Sequence, residues 1–372
     1  MTLAATLERS RHDREDWRYT DLEKILASSF APKPAAKVAS GNASAKQALA
    51  DLNLRRDNVC RLVFINGAWQ ADLSEFASLS RDIVSDDARQ GFRLAFADQA
   101  CLVTTPIELV FINDGRAAET STTLTIDIGA SASLTITEHH VSTAAATQIL
   151  DAEIRLGPQA KLEHNKILHA NTRAAHLART EAQVGAGAYY RNFALIKDTK
   201  LVRNEIEVTL QDRRAQCALN GVMLLRGEEH ADTFTRITHA APHGTSRQFY
   251  KSVVAGRAKC AFQGKITVAK NAQKTDGRQM SRALLLSDQA EMNAKPELEI
   301  HADDVTCSHG STVGDLDTEA LFYLRTRGLS LAEARALLLR GFVNEVINQT
   351  AESQNHDGGI RAVAERWLDE QR

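Results

Sequence analysis

A repeat of 27 to 28 residues in the middle of the chain restricts the possible folds more than any other feature. Similar segments (GASASLTI, GPQAKLEH, GAGAYYRN and DRRAQCAL) begin at Gly129, Gly157, Gly185 and Asp212. Each begins with turn residues, has Ala three places on, and has an apolar or aromatic residue two places later. Such periods are typical of stacked units that cover each other's apolar faces. The repeat predicts a β-solenoid, and an irregular β-sandwich with coincidental turns remains the alternative.

Alternation of apolar and polar residues supports strands throughout residues 105–312. In Leu150–Leu156 every second residue is apolar and those between are charged, and Ile206–Leu210 has the same apolar alternation with Glu207 and Thr209 between. A period of two places alternate side chains on opposite faces of a strand. We therefore predict a mainly β core domain over 105–312.

Helices are predicted on both sides of this core. The first 30 residues and the segment Ala45–Leu52 have helical periodicity, as does Asp86–Ala97, with a strand at Cys60–Asn66 between them. Residues 31–45 contain two prolines among Ala, Ser and Gly, which is typical of a linker. We predict a mainly helical N-terminal domain over 1–104.

The C-terminal region, 313–372, is predicted to be a helical domain. Asp317 is a candidate N-cap and Gly328 a candidate end for one helix. Ser330 and Glu333 have the spacing of a capping box at the start of a second helix. A last helix is predicted at Ile360–Leu368.

Charge and cysteine content exclude several classes of protein. Lys and Arg total 45 and Asp and Glu total 47, so no basic surplus favours nucleic acid or an anionic membrane. The five cysteines have no paired spacing, which argues against a disulfide framework and for a reducing compartment. No apolar run approaches the roughly 18 residues of a membrane span. We expect a soluble protein of the cytoplasm, or the mature form of an organellar one.

Cys307 and His309 form the sharpest candidate for chemistry. At strand spacing their side chains point to the same side, so a thiolate and an imidazole could reach one metal ion or one sulfur atom. Both are suitable ligands for iron in iron–sulfur chemistry. Two ligands do not complete a site, so the others would come from another chain or from the cluster. A buried, inert Cys beside a turn His is the alternative. A turn built on Gly310 and Gly314 is expected after the pair.

The other polar candidates are weaker. His301 shares the parity of Cys307 in an unbroken strand and is a weak accessory ligand candidate, whereas Asp303 and Asp304 are interpreted as turn residues. Six further histidines of the strand region are assigned no metal role: His139, His140, His164, His169, His239 and His243. The other cysteines are interpreted as core residues: Cys60, Cys101, Cys217 and Cys260.

Standard catalytic and nucleotide-binding motifs do not occur in the sequence. It contains no Walker A, G-x-S-x-G, H-E-x-x-H, CxxC or Rossmann pattern. This favours a non-catalytic scaffold that binds no nucleotide over a free-standing enzyme. Two alternatives stay open on the fold alone, a carbohydrate-active β-helix enzyme and a purely structural oligomer. The first would need clustered carboxylates and aromatic subsites, and aromatic residues make up only 5% of the chain.

Three segments resemble the SufB/SufD family of iron–sulfur cluster assembly scaffold subunits, and in particular its SufD branch. They are REDWRYTDLEKIL, HADTFTRITHAAPHGTSRQFYKSVVAGRAKCAFQGKITV and ADDVTCSHGSTVGDLDTEALFYLRTRGL, in the order found in the family. SufB-like members carry a cysteine near the position of Ala290, and tend to have a Glu-rich stretch where this chain has Cys307 to Gly310. Both differences from the SufB-like members favour the SufD branch.

The resemblance implies a fold, partners and a cargo. The fold would be a right-handed parallel β-helix flanked by N-terminal and C-terminal helical domains. SufB would pair with the end of the β-helix, and the ATPase SufC would dock on the helices after Asp317. A transient iron–sulfur cluster, shared with SufB, would form at Cys307 and His309. The isolated chain could instead form a homodimer.

Overall fold

The computed structural model describes residues 2–29, 43–54, 59–75, 84–87, 91–96, 106–169, 173–350 and 359–370. It shows a parallel β-solenoid of about seven turns with helices from both ends of the chain. The predicted linker 31–45 lies almost entirely outside the described residues, as does Cys101.

Two sheets form the walls of the solenoid, and consecutive strands alternate between them from β4 onwards. Sheet A contains, in spatial order, β19 (Thr306–Gly314), β17 (Asp276–Leu285), β15 (Thr245–Val254), β13 (Gln216–Leu225), β11 (Tyr189–Lys197), β9 (Lys161–His169), β7 (Ser133–Ser142), β5 (Ile107–Asn113), β1 (Cys60–Ile65) and β2 (Ala68–Trp69). Sheet B contains β18 (Glu291–Ile300), β16 (Lys259–Val268), β14 (His230–His239), β12 (Leu201–Leu210), β10 (Ala175–Val184), β8 (Thr147–Leu156), β6 (Glu119–Ile128), β4 (Gly91–Phe96) and β3 (Val84–Asp87).

The turn at one edge of each coil explains the sequence repeat. Six successive turns contain a residue with φ between 60° and 63°: Ser131, Gln159, Gly187, Arg214, His243 and Lys274. The N–H of each donates to a carbonyl of the next coil, from Ser131 to Pro158 at 2.8 Å through to Lys274 to Asp304 at 2.7 Å. The repeated turn therefore fixes the stacking of coils as well as the reversal of the chain. The predicted β-solenoid is confirmed.

Apolar residues fill the interior in rows that run across the strands. Leu134, Leu162 and Tyr190 are paired in succession along sheet A, and all are buried. Cys217 continues the Tyr190 row, and Cys260 faces it from sheet B in the same core. Their assignment as core residues is confirmed. Because parallel strands with both faces covered carry apolar side chains on both sides, the alternation in the sequence is incomplete.

Helices cover the outer faces of both sheets. They are α1 (Leu3–His12), α2 (Leu22–Ser29), α3 (Ala43–Asp51), α4 (Thr318–Thr326), α5 (Leu331–Ile347) and α6 (Ile360–Asp369), with a 3-10 turn at Ala71–Leu73. The segment around Trp17 packs on sheet B, whereas α3 packs on the start of sheet A and α5 and α6 on its middle. None of the helices in the described ranges is long and apolar enough to span a membrane.

The predicted C-terminal helix signals are confirmed. The carboxylate of Asp317 accepts hydrogen bonds from two backbone N–H groups of α4, and Gly328 after the helix has φ of 93°. Ser330 and Glu333 form both hydrogen bonds of a capping box.

The helix predicted at Asp86–Ala97 is wrong. This part of the chain forms β3 and β4, and β4 pairs in parallel with β6. Phe92, Leu94 and Phe96 are all buried, and their period of two is that of a strand with one face in the core. Strands of both sheets thus begin before residue 104, although the domain boundaries at 104 and 312 stay predictions.

Candidate functional site at the open end of the solenoid

The last two strands, β18 and β19, are edge strands of sheet B and sheet A at the C-terminal end of the solenoid. Each has a hydrogen-bonded neighbour on one side only, β16 for β18 and β17 for β19, among the described residues. Their side chains are exposed or half-buried, in contrast to the buried strands before them. Backbone N–H and C=O groups along both outer edges are therefore available to another chain.

Cys307 and His309 lie on β19 with their side chains towards the solenoid interior. They pair with Gly277 and Gln279 on β17, which belong to interior rows. Cys307 is half-buried and packs against the last apolar cluster, which contains Ile266. A Cβ added to Gly277 would lie 3.5 Å from the Cys307 sulfur, so the absence of a side chain there leaves room for the thiol. The predicted same-side arrangement is present.

The two donors differ in their surroundings. Burial raises the pKa of the Cys307 thiol, a backbone hydrogen bond from Gly277 opposes this effect, and the negative charge of Asp276 adds to it. The thiol is therefore protonated in the isolated chain at neutral pH. His309 is exposed, and its ring makes no hydrogen bond to any residue that the structure describes. A metal ion at this pair would have to displace the thiol proton of Cys307, whereas the His309 ring is already accessible.

A thiolate and an imidazole suit iron, but one chain supplies too few ligands. In the described part of the chain, no three His, Cys, Asp or Glu side chains are placed so that they could hold a metal ion. Closed metal sites need about four ligands. Any cluster at Cys307 and His309 would need additional donors from a second molecule or from its own sulfides.

Two expectations about this stretch need correction. The turn predicted at Gly310 and Gly314 is wrong, because β19 runs without a break from Thr306 to Gly314. Gly310 instead provides space for the Met280 side chain, since a Cβ would lie 2.9 Å from its terminal methyl group. The unbroken strand assumed for His301 is also absent, because β18 ends at Ile300 and β19 begins five residues after His301.

The polar residues between the two strands have structural contacts. The ring of His301 is exposed and lies 3.0 Å from a Glu299 carboxylate oxygen. Asp303 and Asp304 are exposed, and the Asp304 carboxylate pairs with Lys274 while its N–H donates to Gln273 at 2.9 Å. Asp303 and Asp304 are turn residues, as the sequence indicated.

Sequence reasoning missed a row of amides directly below the candidate pair. Gln279 pairs with His309 and Gln248 pairs with Gln279, so that all three side chains face the interior. The hydroxyl of Thr235, on the opposite sheet, donates to Gln248 at 2.6 Å. The period-two pattern places these glutamines on the apolar face of their strands, and that mismatch was the signal in the sequence.

A second polar network lies deeper in the solenoid. The Glu138 carboxylate is fully buried and lies 2.8 Å from His164, 2.9 Å from His140 and 3.6 Å from Lys166. Burial by itself would raise the pKa of Glu138, but Lys166 and the two imidazoles outweigh it and hold this pKa well below its usual range. These groups satisfy one another and lie several strands from β19.

The C-terminal helices present exposed apolar side chains. Phe322 and Tyr323 on α4 are 70% and 56% exposed, and Leu331 and Leu337 on α5 are each 48% exposed. A groove between the two helices is lined by Phe322, Leu329 and Leu331 together with polar residues. Large exposed apolar residues in one region are typical of a protein–protein contact.

Comparisons with known proteins agree with this architecture. A family model described as "SUF system FeS cluster assembly, SufBD core domain" matches residues 111–342. The chain is 31% identical to the iron–sulfur cluster assembly protein SufD of Escherichia coli over 359 residues, which cover 89% of this chain and 83% of that protein. It is 30% identical to an iron–sulfur cluster assembly SufBD family protein of Synechocystis over 382 residues, 90% of this chain and 82% of the relative.

A plant protein matches a shorter part. The chloroplastic protein ABCI7 of Arabidopsis thaliana is 32% identical over 215 residues, which cover 56% of this chain and 45% of that protein. The family model spans the solenoid from β5 into α5, including the strand that carries Cys307 and His309. With two relatives matched over most of their length, the chain belongs to the SufBD family of the SUF iron–sulfur cluster assembly system.

Proposed function

We propose that this chain is a non-catalytic scaffold subunit on which nascent iron–sulfur clusters are built and from which they are transferred. The observation that carries the proposal is the position of Cys307 and His309, on the same face of a strand that has no outer neighbour among the residues that the structure describes. The cluster is cargo, bound transiently. Thiolate and imidazole are both known ligands of iron in such clusters.

The partner at this end is SufB, which covers the open strands and supplies the missing ligands. Two features support this pairing. The unpaired edges of β18 and β19 can add strands from another chain, and an exposed edge of this length in a stable protein is normally covered. A half-buried thiol with a raised pKa is also a poor nucleophile until a partner changes its surroundings.

The ATPase SufC docks on the C-terminal helices, where Phe322 and Tyr323 are exposed. SufC binds the nucleotide, and this chain contributes a docking surface. Helix α5 connects that surface to the solenoid, because the Lys251 ammonium on β15 donates to the Phe342 carbonyl at 2.7 Å and pairs with Glu345. A movement of α5 would thus reach β15, two strands from β19. The reducing cytoplasm suits a site with a free thiol.

The test replaces both donors with alanine. A C307A/H309A variant, mixed with SufB and SufC, should assemble into a complex of unchanged stoichiometry but form little or no cluster on supply of iron and sulfide. Absorbance in the visible range and iron content per complex measure the cluster. Size-exclusion chromatography measures assembly.

A matched control is C217A, which removes a thiol that is buried in the core away from β19. It should form cluster at the level of the unchanged protein. Full cluster yield in C307A/H309A would refute the site and would favour a purely structural subunit.

A further inference from the structure

Gln279 lies immediately below His309 in the solenoid. The two residues are paired on neighbouring parallel strands, about 4.8 Å apart, and both side chains face the interior. Gln279 is only 2% exposed, whereas His309 above it is exposed. Gln279 therefore lies one strand below His309, at the boundary between the buried interior and the exposed last strand.

Of the two polar atoms of the Gln279 amide, the oxygen has a hydrogen-bond partner among the described residues and the nitrogen does not. Its oxygen accepts a hydrogen bond from the Gln248 side chain at 3.3 Å, and the oxygen of Gln248 accepts in turn from the Thr235 hydroxyl at 2.6 Å. This chain of hydrogen bonds orients the amide so that its NH₂ group is the free end. The Gln279 nitrogen is buried and has no hydrogen-bond partner among the residues that the structure describes.

Space for this arrangement is provided from the opposite sheet. Gly264 on β16 faces the interior, and a Cβ there would lie 2.5 to 2.6 Å from the nitrogen, carbon and oxygen of the Gln279 amide. Any larger residue at 264 would displace the amide. The glutamine thus crosses the interior to a position that requires glycine on the other side.

A buried donor without an acceptor lowers stability, and such groups are rare in native proteins. An apolar side chain would fill the same space without this penalty, as apolar residues do in most interior rows. The unpaired Gln279 donor is therefore available to an acceptor that a ligand would bring. The adjacent site for such an acceptor is the one at Cys307 and His309.

We propose that the Gln279 side-chain N–H donates a hydrogen bond to an anionic sulfur of the cluster bound at Cys307 and His309, and so acts as a positioning residue for it. This inference rests on the proposed function, because it requires a cluster at that pair. Hydrogen bonds to cluster sulfurs set the reduction potential, and a donor to an anionic acceptor forms a strong bond. The glutamine accordingly slows the loss of the cluster and raises its potential.

The test uses Gln279→Met, which keeps length and volume but has no donor, in the reconstituted complex. The cluster should form with normal ligands, but its loss to a chelator should be about tenfold faster, the factor that corresponds to about 1.4 kcal/mol. Its reduction potential should shift to a more negative value. Gln279→Glu, which keeps the oxygen that accepts from Gln248 but adds negative charge, should shift the potential further in the same direction.

The matched control is Asn192→Leu. Asn192 is a buried amide in the same interior row, four strands from β19, and its oxygen has no partner among the described residues. This variant should leave the potential and lifetime of the cluster unchanged. If Gln279 has a purely structural role, Gln279→Met and Asn192→Leu should both lower the melting temperature, and neither should change the reduction potential of the cluster.

Three outcomes overturn the inference. An unchanged potential and lifetime in Q279M, alongside cluster loss in C307A/H309A, would remove the role of Gln279 and leave the proposed function intact. The same shift in N192L would show that the effect is general to the interior. Normal cluster formation in C307A/H309A would remove the site and the inference together.

Discussion

The middle of the solenoid and its C-terminal end are built from the same kind of strand but differ in what covers them. In the middle, α5 and α6 pack on sheet A and the segment around Trp17 packs on sheet B. At the end, the side chains of β18 and β19 are exposed or half-buried, although Lys295 of β18 pairs with Glu15 of the N-terminal segment. Charged groups in the middle are therefore desolvated and strongly coupled, whereas those at the end remain in contact with water.

Two ion pairs illustrate the difference. Arg203 and Asp232 in the middle are both fully buried, lie 2.6 Å apart, and are covered by the Trp17 ring at 4.5 Å from the guanidinium. Lys274 and Asp304 near the open end are paired but more than half exposed. Removal of one member of a buried pair leaves an uncompensated charge, while an exposed pair contributes little.

The largest expected effect is therefore that of Asp232→Ala. It leaves Arg203 buried with one fewer carboxylate and also removes the acceptor of the Thr20 hydroxyl at 2.7 Å. We expect a loss of about 3–5 kcal/mol in the free energy of unfolding, measured by denaturant titration. Asp304→Ala should lose less than about 1 kcal/mol. Equal losses in the two variants would contradict the contrast between middle and end.

The second expected effect is a pH dependence of the free energy of unfolding, caused by groups where the solenoid contacts the end of α6. Glu229 accepts from the Arg226 N–H at 2.9 Å, and Arg226 pairs with Glu370 at the end of α6. Burial raises the pKa of Glu229 from 4.5 to about 7, although the Arg226 N–H opposes the shift. Between these values the folded chain binds a proton that the unfolded chain has lost. Stability therefore falls as the pH rises from 4.5 through about 7.

Glu229→Gln should remove this contribution, which is at most about 3 kcal/mol. The measurement is the difference in unfolding free energy between the two proteins at pH 5 and at pH 8. The glutamine variant should gain stability relative to the unchanged protein at the higher pH. A difference that does not vary with pH would show that Glu229 ionises normally.

A third effect concerns the exposed side of the helices. Replacing Phe322 and Tyr323 by alanine should weaken binding of SufC by about 2 kcal/mol or more, since large aromatic residues dominate such contacts. The stability of the chain alone should change little, because both side chains are exposed. Calorimetric titration measures the affinity, and Leu337→Ala on α5 serves as a comparison. Undiminished affinity would place the ATPase elsewhere.

The smallest expected effect is on the stability of C307A/H309A. Cys307 is half-buried and His309 is exposed, so the isolated variant should lose no more than about 1 kcal/mol. Thermal unfolding of the isolated chain measures this. A loss of several kcal/mol would mean that the pair stabilises the solenoid, and that a defect in cluster formation could not be assigned to lost ligands.

The sequence was sufficient for the solenoid because its repeat depends on local rules. Turn residues followed by an alanine recur in four successive coils, and both they and the alternating apolar residues are visible in the sequence of one chain. The strand β4 was missed because Phe92 and Phe96, four residues apart, share one face of a helix as well as one face of a strand. The choice between the two depended on pairing with β6, which is a contact between distant residues.

The candidate site was predicted only in part for the same reason. The i, i+2 spacing of Cys307 and His309 was enough to place them on one face. Their exposure depends on β19 being the last strand, and the role inferred for Gln279 depends on its register with His309 and on Gly264 across the interior. Register between strands is set by the whole stack of coils, so no local pattern contains it.

The hydrogen bonds that join each turn to the turn of the next coil have a consequence for how such a protein can change in length. Every such link joins equivalent atoms of adjacent coils, from Ser131 to Asp304. A duplication or deletion of one whole coil would leave each remaining link intact. It would alter only the number of strands that separate the helix-covered face from β19. Gain or loss of whole coils can therefore change the distance between the C-terminal helices and the last strand in discrete steps of one strand width, without redesigning either end.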